Sequence, residues 1–333
     1  MAATARFGLT LSNRGVVLGL TTPEEILEMA ALADATPAFS HVWVGDQIMA
    51  KPRMEAVTLM AAIAARTKRV RIGPACMASF PSRHPVLFAY QWASLDLLSG
   101  GRMILAACMG VPESQNLARL EIQNMGISNR ERGPRLEEGI EILRRLWAEE
   151  RVTYQGRFYQ LEDAFVEPKP VQQPPPIWVV GTPRLQGDLK VAERNLRRVA
   201  RLGDGWMTTA WPPATFAELR RRIVDYAAEE GRDFTGLPCA LYYNMNVNEN
   251  REAAIEESQR YLNSYYTPQV FSREAVEGWV ACGSPEQCAA QLQAFVEAGA
   301  TDILLRFPSW DQQGQFNRCV NEVLPRLAGT VAA

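Results

Sequence analysis

Histidine and cysteine, which often carry acid–base, nucleophilic or metal chemistry, are sparse in this sequence. The 333 residues include two histidines, His41 and His84, and six cysteines with no CxxC spacing. A Ser-His-Asp hydrolase or a zinc centre would need a denser set of bases or ligands. There is also no GxxxxGKS/T phosphate loop, and no GxGxxG follows the first predicted strand. An enzyme built from these residues would rely on a bound organic cofactor.

Composition narrows the class of partner. The formal net charge is −2, which does not indicate a nucleic acid or a membrane surface. No apolar run approaches the roughly 20 residues that span a bilayer, and the N-terminus lacks the order of a signal peptide. We therefore expect a cytoplasmic protein in which at least four of the six cysteines are reduced core thiols. Cys76 and Cys108 lie in apolar, strand-like runs, where a free thiol behaves as a small hydrophobic side chain.

Strands and helices alternate regularly along the chain. Thr22 and Pro23, followed by two glutamates, are typical of a helix start, and residues 132–149 carry apolar side chains on one helical face. The predicted strands cover residues 6–11, 41–46, 70–77, 102–110, 177–181, 205–209, 237–247 and 302–307. The predicted helices cover residues 22–35, 54–66, 85–98, 132–149, 188–202, 213–230, 251–265, 284–298 and 315–327.

Eight strand–helix units in one chain predict a closed parallel barrel. The strands are apolar on both faces, as in a (β/α)8 TIM barrel of the α/β class, and we expect a single domain over residues 1–333. Residues 150–176 contain a hairpin-like stretch and the proline-rich segment VEPKPVQQPPP, which predicts an insertion over the surface after the fourth helix. A doubly wound open sheet is the alternative, and the missing glycine fingerprint disfavours it.

The carboxyl ends of the predicted strands carry polar residues that ionise weakly. In a barrel the active site lies at these ends, and Asp46 is the only acid among them. Amides, hydroxyls and two tryptophans suit a large planar ligand with polar edges, and a site of paired carboxylates is disfavoured. These ends are Ser12-Asn13, Asp46-Gln47, Cys76-Met77, Met109-Gly110, Gly181-Thr182, Thr209-Trp211, Asn246-Asn248 and Pro308-Trp310.

A series of segments resembles the bacterial luciferase-like family of flavin- and F420-dependent oxidoreductases. The segments span nearly the whole chain in the family's order, and they are VWVGDQ, VRIGPAC, SRHP, LDLLSGGRMILAACMG, RLEEGIEILRRLW, PKPVQQPPPIWVVGT, RVARLGDGW, GSPEQCAAQL and VLPRL. The resemblance implies a TIM barrel that binds reduced FMN or F420 at its carboxyl-terminal mouth. It also implies a small-molecule substrate and a homodimer.

The resemblance assigns candidate cofactor-binding residues to the strand ends. In similar members the third strand carries a non-proline cis peptide against the ring system, and this bond maps to Ala75-Cys76. The small Ala75 suits a backbone pressed against a flat ring. Gly181 and Thr182 match the position that holds the cofactor phosphate. The full candidate set is Asp46, Ala75, Cys76, Met109, Gly110, Arg132, Gly181, Thr182 and Arg198.

Three arginines are candidates near the phosphate, each with a structural alternative. Arg132 matches a family position there, and its alternative is a salt bridge at a helix start. Arg197 or Arg198 could compensate for a departure after Thr182, where Pro183 and a longer connection replace a serine common in relatives. The alternative for these two is a solvated basic helix face.

The chain departs from the family's F420-dependent dehydrogenases where those enzymes supply acid–base groups. Gln47 stands in place of a histidine, and Val111 stands in place of a glutamate. An amide orients a ligand but does not titrate near neutral pH, so the departures argue against alcohol oxidation. His84 is the remaining acid–base group near the rim, with a helix cap or loop anchor as its alternative. Gln47 and His84 are thus the candidate catalytic residues, and His41 is predicted to be structural.

These features favour an FMN-dependent monooxygenase supplied with reduced FMN by a separate flavin reductase. Oxidation of a small organic substrate by O2 needs a dry pocket and little acid–base machinery. One alternative is hydride transfer from reduced F420 to an unsaturated or nitro compound. Another is a flavin-binding protein without turnover. No metal, nucleic acid or membrane is expected to take part.

Overall fold

The computed structural model of the chain describes residues 4–110, 116–182, 189–267 and 270–327. The strands are β1 (Arg6–Leu11), β2 (Phe39–Val44), β3 (Arg71–Pro74), β4 (Leu105–Ala107), β5 (Val152–Gln155), β6 (Gln160–Ala164), β7 (Ile177–Val180), β8 (Gly205–Thr208), β9 (Cys239–Val247), β10 (Val280–Gly283) and β11 (Asp302–Arg306). The helices are α1 (Pro23–Ala35), α2 (Ala56–Arg66), α3 (Pro85–Ser99), α4 (Asn116–Asn124), α5 (Arg132–Ala148), α6 (Leu189–Leu202), α7 (Pro213–Glu229), α8 (Arg251–Tyr266), α9 (Arg273–Trp279), α10 (Pro285–Glu297) and α11 (Gln312–Arg318). Over these ranges, no helix combines the length and apolar character needed to cross a membrane.

Local sequence signals set the starts of two barrel helices. At α1, Thr22 Oγ1 accepts a hydrogen bond from the Glu25 backbone N–H at 3.2 Å, and the Glu25 carboxylate accepts one from the Thr22 N–H at 2.8 Å. The same capping box joins Ser284 and Gln287 at α10, and both helices have proline in their first turn. Both therefore begin within one residue of their predicted starts.

Eight parallel strands follow one another around the barrel in chain order. Hydrogen-bonded pairing runs continuously as β3-β2-β1-β11-β9-β8-β7-β4. Two bridges, Ile72 to Met103 and Met77 to Ala107, then join β3 to β4. The predicted (β/α)8 barrel is confirmed, because the two ends of the sheet meet and do not form the edges of an open sheet.

Three elements escape the sequence prediction. The second half of β9 pairs with β10, from Asn244 beside Val280 to Val247 beside Gly283, outside the ring of eight. Helices α4 and α9 have nine and seven residues, too few for apolar periodicity to reveal them. These additions cover part of the carboxyl-terminal mouth, so they decide which side chains surround the site.

The segment at 150–176 lies outside the barrel sheet and is attached to α5. Its strands β5 and β6 form a separate antiparallel pair. The Glu138 carboxylate accepts hydrogen bonds from the backbone N–H groups of Arg157 and Phe158 at 2.9 and 3.0 Å. Arg135 packs over the Phe158 ring, with its guanidinium carbon 4.7 Å from the centroid. The excursion is therefore fixed to the fourth barrel helix.

Paired charges close the barrel at the amino ends of its strands. Arg6 and Asp302 are neighbours in register, and the guanidinium donates two hydrogen bonds of 2.9 Å to the carboxylate. His41 Nε2 lies 3.7 Å from Asp302, and we call these three residues the barrel floor. Burial lowers the pKa of His41 to about 4, against the opposing effect of Asp302. Above the floor, Trp43 and Trp178 fill the barrel with ring centroids 5.4 Å apart.

Candidate functional site

A cavity of about 620 Å³, which we call the cleft, opens at the carboxyl ends of the barrel strands. Part of its lining is small or apolar: Ala75, Cys76, Val180, Met207 and Thr208. A second part is aromatic: Trp211, Tyr242, Tyr266, Phe271 and Trp279. Phe271 and Trp279 stack with ring centroids 5.8 Å apart. A cleft of this size and lining suits a flat organic ring with an apolar substrate beside it.

The Ala75–Cys76 peptide bond lies in the cleft lining and is cis, which confirms the sequence prediction. The strand is held on both sides of it, because Ala75 N–H donates to the Val44 carbonyl and Met77 N–H to the Ala106 carbonyl, each at 2.8 Å. Ala75 thus offers a methyl group as its whole side chain at this wall.

Cys76 is joined to Cys108 by a disulfide, with Cα atoms 6.1 Å apart. The interpretation of these two cysteines as core thiols is therefore wrong. Nothing in the sequence signals the pair, since residues 32 apart meet only when β3 and β4 close the barrel. The other four cysteines are free and buried, as expected: Cys239, Cys282, Cys288 and Cys319.

Gly181 and Thr182 follow β7 and lie beside hydroxyl groups at the edge of the cleft. Thr182 Oγ1 is 3.0 Å from Thr208 Oγ1 and accepts a hydrogen bond from the Thr209 N–H at 3.2 Å. Thr208 and Thr209 themselves line the cleft. Grouped hydroxyls and amides of this kind can donate hydrogen bonds to phosphate oxygens.

Asp46 and Gln47 are buried after β2, and both are engaged by protein groups. Asp46 accepts hydrogen bonds of 2.7 Å from the Ser79 N–H and hydroxyl, and Arg83 lies 3.6 Å away. Burial raises the pKa of Asp46, and Arg83 and Ser79 oppose that rise. The Gln47 amide donates to Glu121 of α4 at 2.7 Å. Neither side chain is part of the cleft lining.

Met109, Gly110 and Arg132 meet in a narrow recess under α4, which Gln47 also lines. Arg132 Nη1 donates to the Met109 carbonyl at 2.8 Å. Gly110 has a φ of +77°, and a Cβ there would lie 2.7 Å from the Ala78 carbonyl oxygen, so glycine is required. The departures at Val111 and Pro183 lie outside the described residues.

Arg198 and His84 are not brought to the cleft. Arg198 is buried on α6 and donates to Glu137 at 2.8 Å and to Asn195 at 3.1 Å. His84 is the exposed N-cap residue of α3 and packs edge-on against Tyr159 at 5.7 Å. These contacts match a structural ion pair and a loop anchor. Across the described ranges, no three potential metal-ligating side chains come together.

A group of tyrosines around an arginine lies at the barrel mouth and was not predicted from the sequence. Arg306, the last residue of β11, is 1% exposed, and its guanidinium carbon lies 4.6 to 5.6 Å from the ring centroids of Tyr242, Tyr265 and Tyr266. We call these four residues the tyrosine cluster. Lys51 lies 4.9 Å from the Tyr266 ring centroid. The one signal available was an arginine inside the apolar strand ILLRF, in phase with Asp302 and therefore facing the barrel interior.

A family described as luciferase-like monooxygenase matches residues 5–302. An F420-dependent glucose-6-phosphate dehydrogenase of Amycolatopsis mediterranei (strain U-32) is 25% identical over 331 residues, which cover 92% of this chain and 95% of that protein. The corresponding enzyme of Kineococcus radiotolerans (strain ATCC BAA-149 / DSM 14245 / SRS30216) is 26% identical over 333 residues, with coverages of 92% and 93%.

Solved structures share the fold. An F420-dependent secondary alcohol dehydrogenase in complex with an F420-acetone adduct superposes with a TM-score of 0.81 at 20% identity, covering 97% of this chain and 98% of the other. Monooxygenase RslO1 from Streptomyces bottropensis superposes with a TM-score of 0.76 at 24% identity, covering 96% and 99%. At these identities the likeness establishes the barrel architecture and leaves the reaction to be argued from the site.

Proposed function

This chain belongs to the luciferase-like monooxygenase family, and we propose that it is an F420-dependent oxidoreductase that transfers a hydride to a small organic substrate. Two relatives that match more than nine-tenths of both chains are F420-dependent dehydrogenases, which supports F420 over the FMN favoured from the sequence alone. The family match and these relatives support an oxidoreductase with either cofactor. The alternative of a flavin-binding protein without turnover is therefore set aside.

The observation that carries the proposal is the cleft, whose lining fits a flat tricyclic ring. Ala75, Cys76 and Val180 would hold the ring through backbone and small side chains, and Thr182 with Thr208 would hold the phosphate. Bound F420 would carry the hydride, a two-electron transfer that this chain's own side chains cannot perform. The protein contributes position, exclusion of water and proton transfer.

We propose reduction of an electron-poor acceptor, such as an unsaturated carbonyl or nitro compound, as the working direction. The Gln47 amide is committed to Glu121 and does not titrate near neutral pH. The position that matches the dehydrogenases' histidine therefore offers no base for an alcohol proton. The aromatic lining would desolvate an apolar acceptor beside the ring.

Anaerobic oxidation of reduced F420, followed by the return of its visible absorbance, tests the proposal. We expect turnover with unsaturated carbonyl or nitro compounds. We expect no reduction of oxidised F420 by glucose-6-phosphate or simple alcohols. Failure of every acceptor class to oxidise reduced F420 in the presence of the protein would overturn the proposal, as would rapid alcohol-driven reduction.

A second candidate is an FMN-dependent monooxygenase supplied by a separate flavin reductase. The observation that favours it is the aromatic part of the cleft lining, together with the absence of a carboxylate among the lining residues that the structure describes; oxygen chemistry needs such a dry surrounding. Substrate-dependent O2 uptake with FMN and a reductase, and none with F420, would select it. The homodimer and the cytoplasmic location stay predictions under both candidates.

A further inference from the structure

The tyrosine cluster holds a buried positive charge that no carboxylate neutralises within the described part of the chain. Arg306 is 1% exposed, its Nε has no hydrogen-bond partner there, and its Nη1 donates to the Tyr266 hydroxyl. Arg14 is also buried, with Nε and Nη1 unpartnered among the described residues. A buried guanidinium without a counter-ion is costly. A group that becomes negative during the reaction would be stabilised at this position.

Tyr266 is the member of the cluster best placed to become negative. Its oxygen accepts a hydrogen bond from Arg306, and the Tyr242 hydroxyl oxygen lies 3.4 Å away. A phenol oxygen has two acceptor positions and one proton, and a guanidinium cannot accept a hydrogen bond. Either hydroxyl of the Tyr242–Tyr266 pair can donate; when Tyr242 donates, both acceptor positions of Tyr266 are filled and its proton is left to point elsewhere. Tyr266 lines the cleft together with Ala75 and Cys76.

We propose that Tyr266 is the proton donor of the cleft and receives the carbonyl oxygen of an α,β-unsaturated acceptor, and that Arg306 acts through its hydrogen bond to the Tyr266 hydroxyl. This inference rests on the proposed hydride transfer. Bound reduced F420 would supply a hydride to the β-carbon of the acceptor, and the π electrons would shift towards the carbonyl, whose oxygen would gain a negative charge. That oxygen takes the Tyr266 proton to give an enol, and the O–H bond of Tyr266 breaks. Arg306 stabilises the phenolate until a proton from water restores it.

The charges around Tyr266 support this role. Burial raises the pKa of Tyr266, but Arg306, the hydrogen bond with Tyr242 and Lys51 together bring it below its ordinary value of 10. Burial holds the pKa of Tyr242 well above that value, so the pair loses its first proton from Tyr266. The titratable and charged groups that surround Tyr266 are Arg14, Lys51, Arg53, Tyr242, Tyr261, Tyr265 and Arg306.

Titration of the apoprotein, followed by tyrosinate absorbance, tests the cluster without any cofactor. We expect one tyrosine to ionise at a lower pH than the others. This ionisation should be absent in Tyr266→Phe and present in Tyr242→Phe. Tyr226→Phe, on the outer helix α7, is the matched control and should keep it. Arg306→Met should raise the pKa of Tyr266. The assignment would be overturned if the low-pKa ionisation is still present in Tyr266→Phe, or if its pKa is unchanged in Arg306→Met.

Turnover of reduced F420 with an unsaturated ketone supplies the second readout. Tyr266→Phe should lower kcat by at least about 100-fold, while F420 affinity, measured by fluorescence, stays within about threefold. In the wild type, kcat should fall as pH rises through the pKa of Tyr266, and that limb should be absent from the residual activity of Tyr266→Phe. An inactive wild type counts against the proposed function. An active wild type with an equally active Tyr266→Phe counts against Tyr266.

Discussion

The two ends of β11 treat buried charge in opposite ways. At the barrel floor, Asp302 is 0% exposed and receives both guanidinium hydrogen bonds of Arg6. At the mouth, four residues further along the same strand, Arg306 is equally buried but has tyrosines around it in place of a carboxylate. Charge that is neutralised within the fold stabilises the fold. Charge left without a carboxylate is available to a reacting group.

The same substitution at the two ends should give very different losses of stability. Arg6→Met leaves the buried Asp302 carboxylate without its bidentate partner, so we expect a loss of about 3 kcal/mol or more. Arg306→Met leaves no carboxylate without a partner. The contacts of the guanidinium with the aromatic rings are lost, but the cost of burying its charge is removed as well. We expect about 1 kcal/mol or less there. Urea unfolding of both variants measures the difference.

Equal losses in the two variants would contradict the comparison, and so would a larger loss in Arg306→Met. A double variant adds a further check. Because the two sites share no partner, the separate free-energy changes should add within about 0.5 kcal/mol. Strong coupling between them would indicate that floor and mouth form one electrostatic unit.

The floor should also make stability depend on pH through His41. Its pKa is lowered to about 4 in the folded protein, against about 6.5 in an unfolded chain. Between these values the unfolded chain binds more protons, so stability should fall by about 3 kcal/mol as pH drops from 6.5 to 4. His41→Gln should remove this component from urea unfolding curves measured across the window.

His84→Gln is the matched control, because His84 is the only other histidine of the chain and is exposed. This variant should keep the wild-type dependence of stability on pH. If His84→Gln flattens the dependence and His41→Gln does not, the assignment of the acid-sensitive group to the floor is wrong.

At the mouth, enlarging the wall of the cleft should weaken binding with little effect on folding. Ala75→Leu places three additional carbons where the ring is proposed to lie, so we expect F420 affinity to fall at least about tenfold. Ala65→Leu, on the exposed face of α2, controls for added apolar volume. Fluorescence binding measures the effect on F420 affinity, and urea unfolding measures the effect on stability. Unchanged affinity in Ala75→Leu would show that the ring does not lie against Ala75.

The smallest effect is expected at Gln47, which supports the rim without lining the cleft. Gln47→Ala removes one hydrogen bond to Glu121, while two backbone amides of the loop after β2 still bind that carboxylate. We expect a loss of about 1 kcal/mol of stability and reduced turnover with no new limb in its pH profile. Gln123→Ala on exposed α4 surface is the control. If the pH profile of turnover loses its basic or acidic limb in Gln47→Ala, proton transfer would be assigned to Gln47.

The barrel could be predicted from sequence because strand and helix periodicity, together with helix caps such as Thr22 and Ser284, are local signals. The cis bond at Ala75–Cys76 followed from the family resemblance. The disulfide of Cys76 with Cys108 and the tyrosine cluster could not be predicted, since both join residues from different strands or helices. Arg306 alone is visible in the sequence, as a charge inside an apolar strand. The tyrosines around it are identified only from the fold.

Competitive binding of F420 and FMN to the purified protein tests whether the cleft is an F420 site. Trp211 and Trp279 line the cleft, so quenching of tryptophan fluorescence reports occupancy by either ring. We expect a Kd for F420 at least about tenfold below that for FMN, with FMN displaced by F420 and the binding of both weakened in Ala75→Leu. FMN binding about tenfold more tightly than F420 would overturn the F420 assignment and favour the monooxygenase.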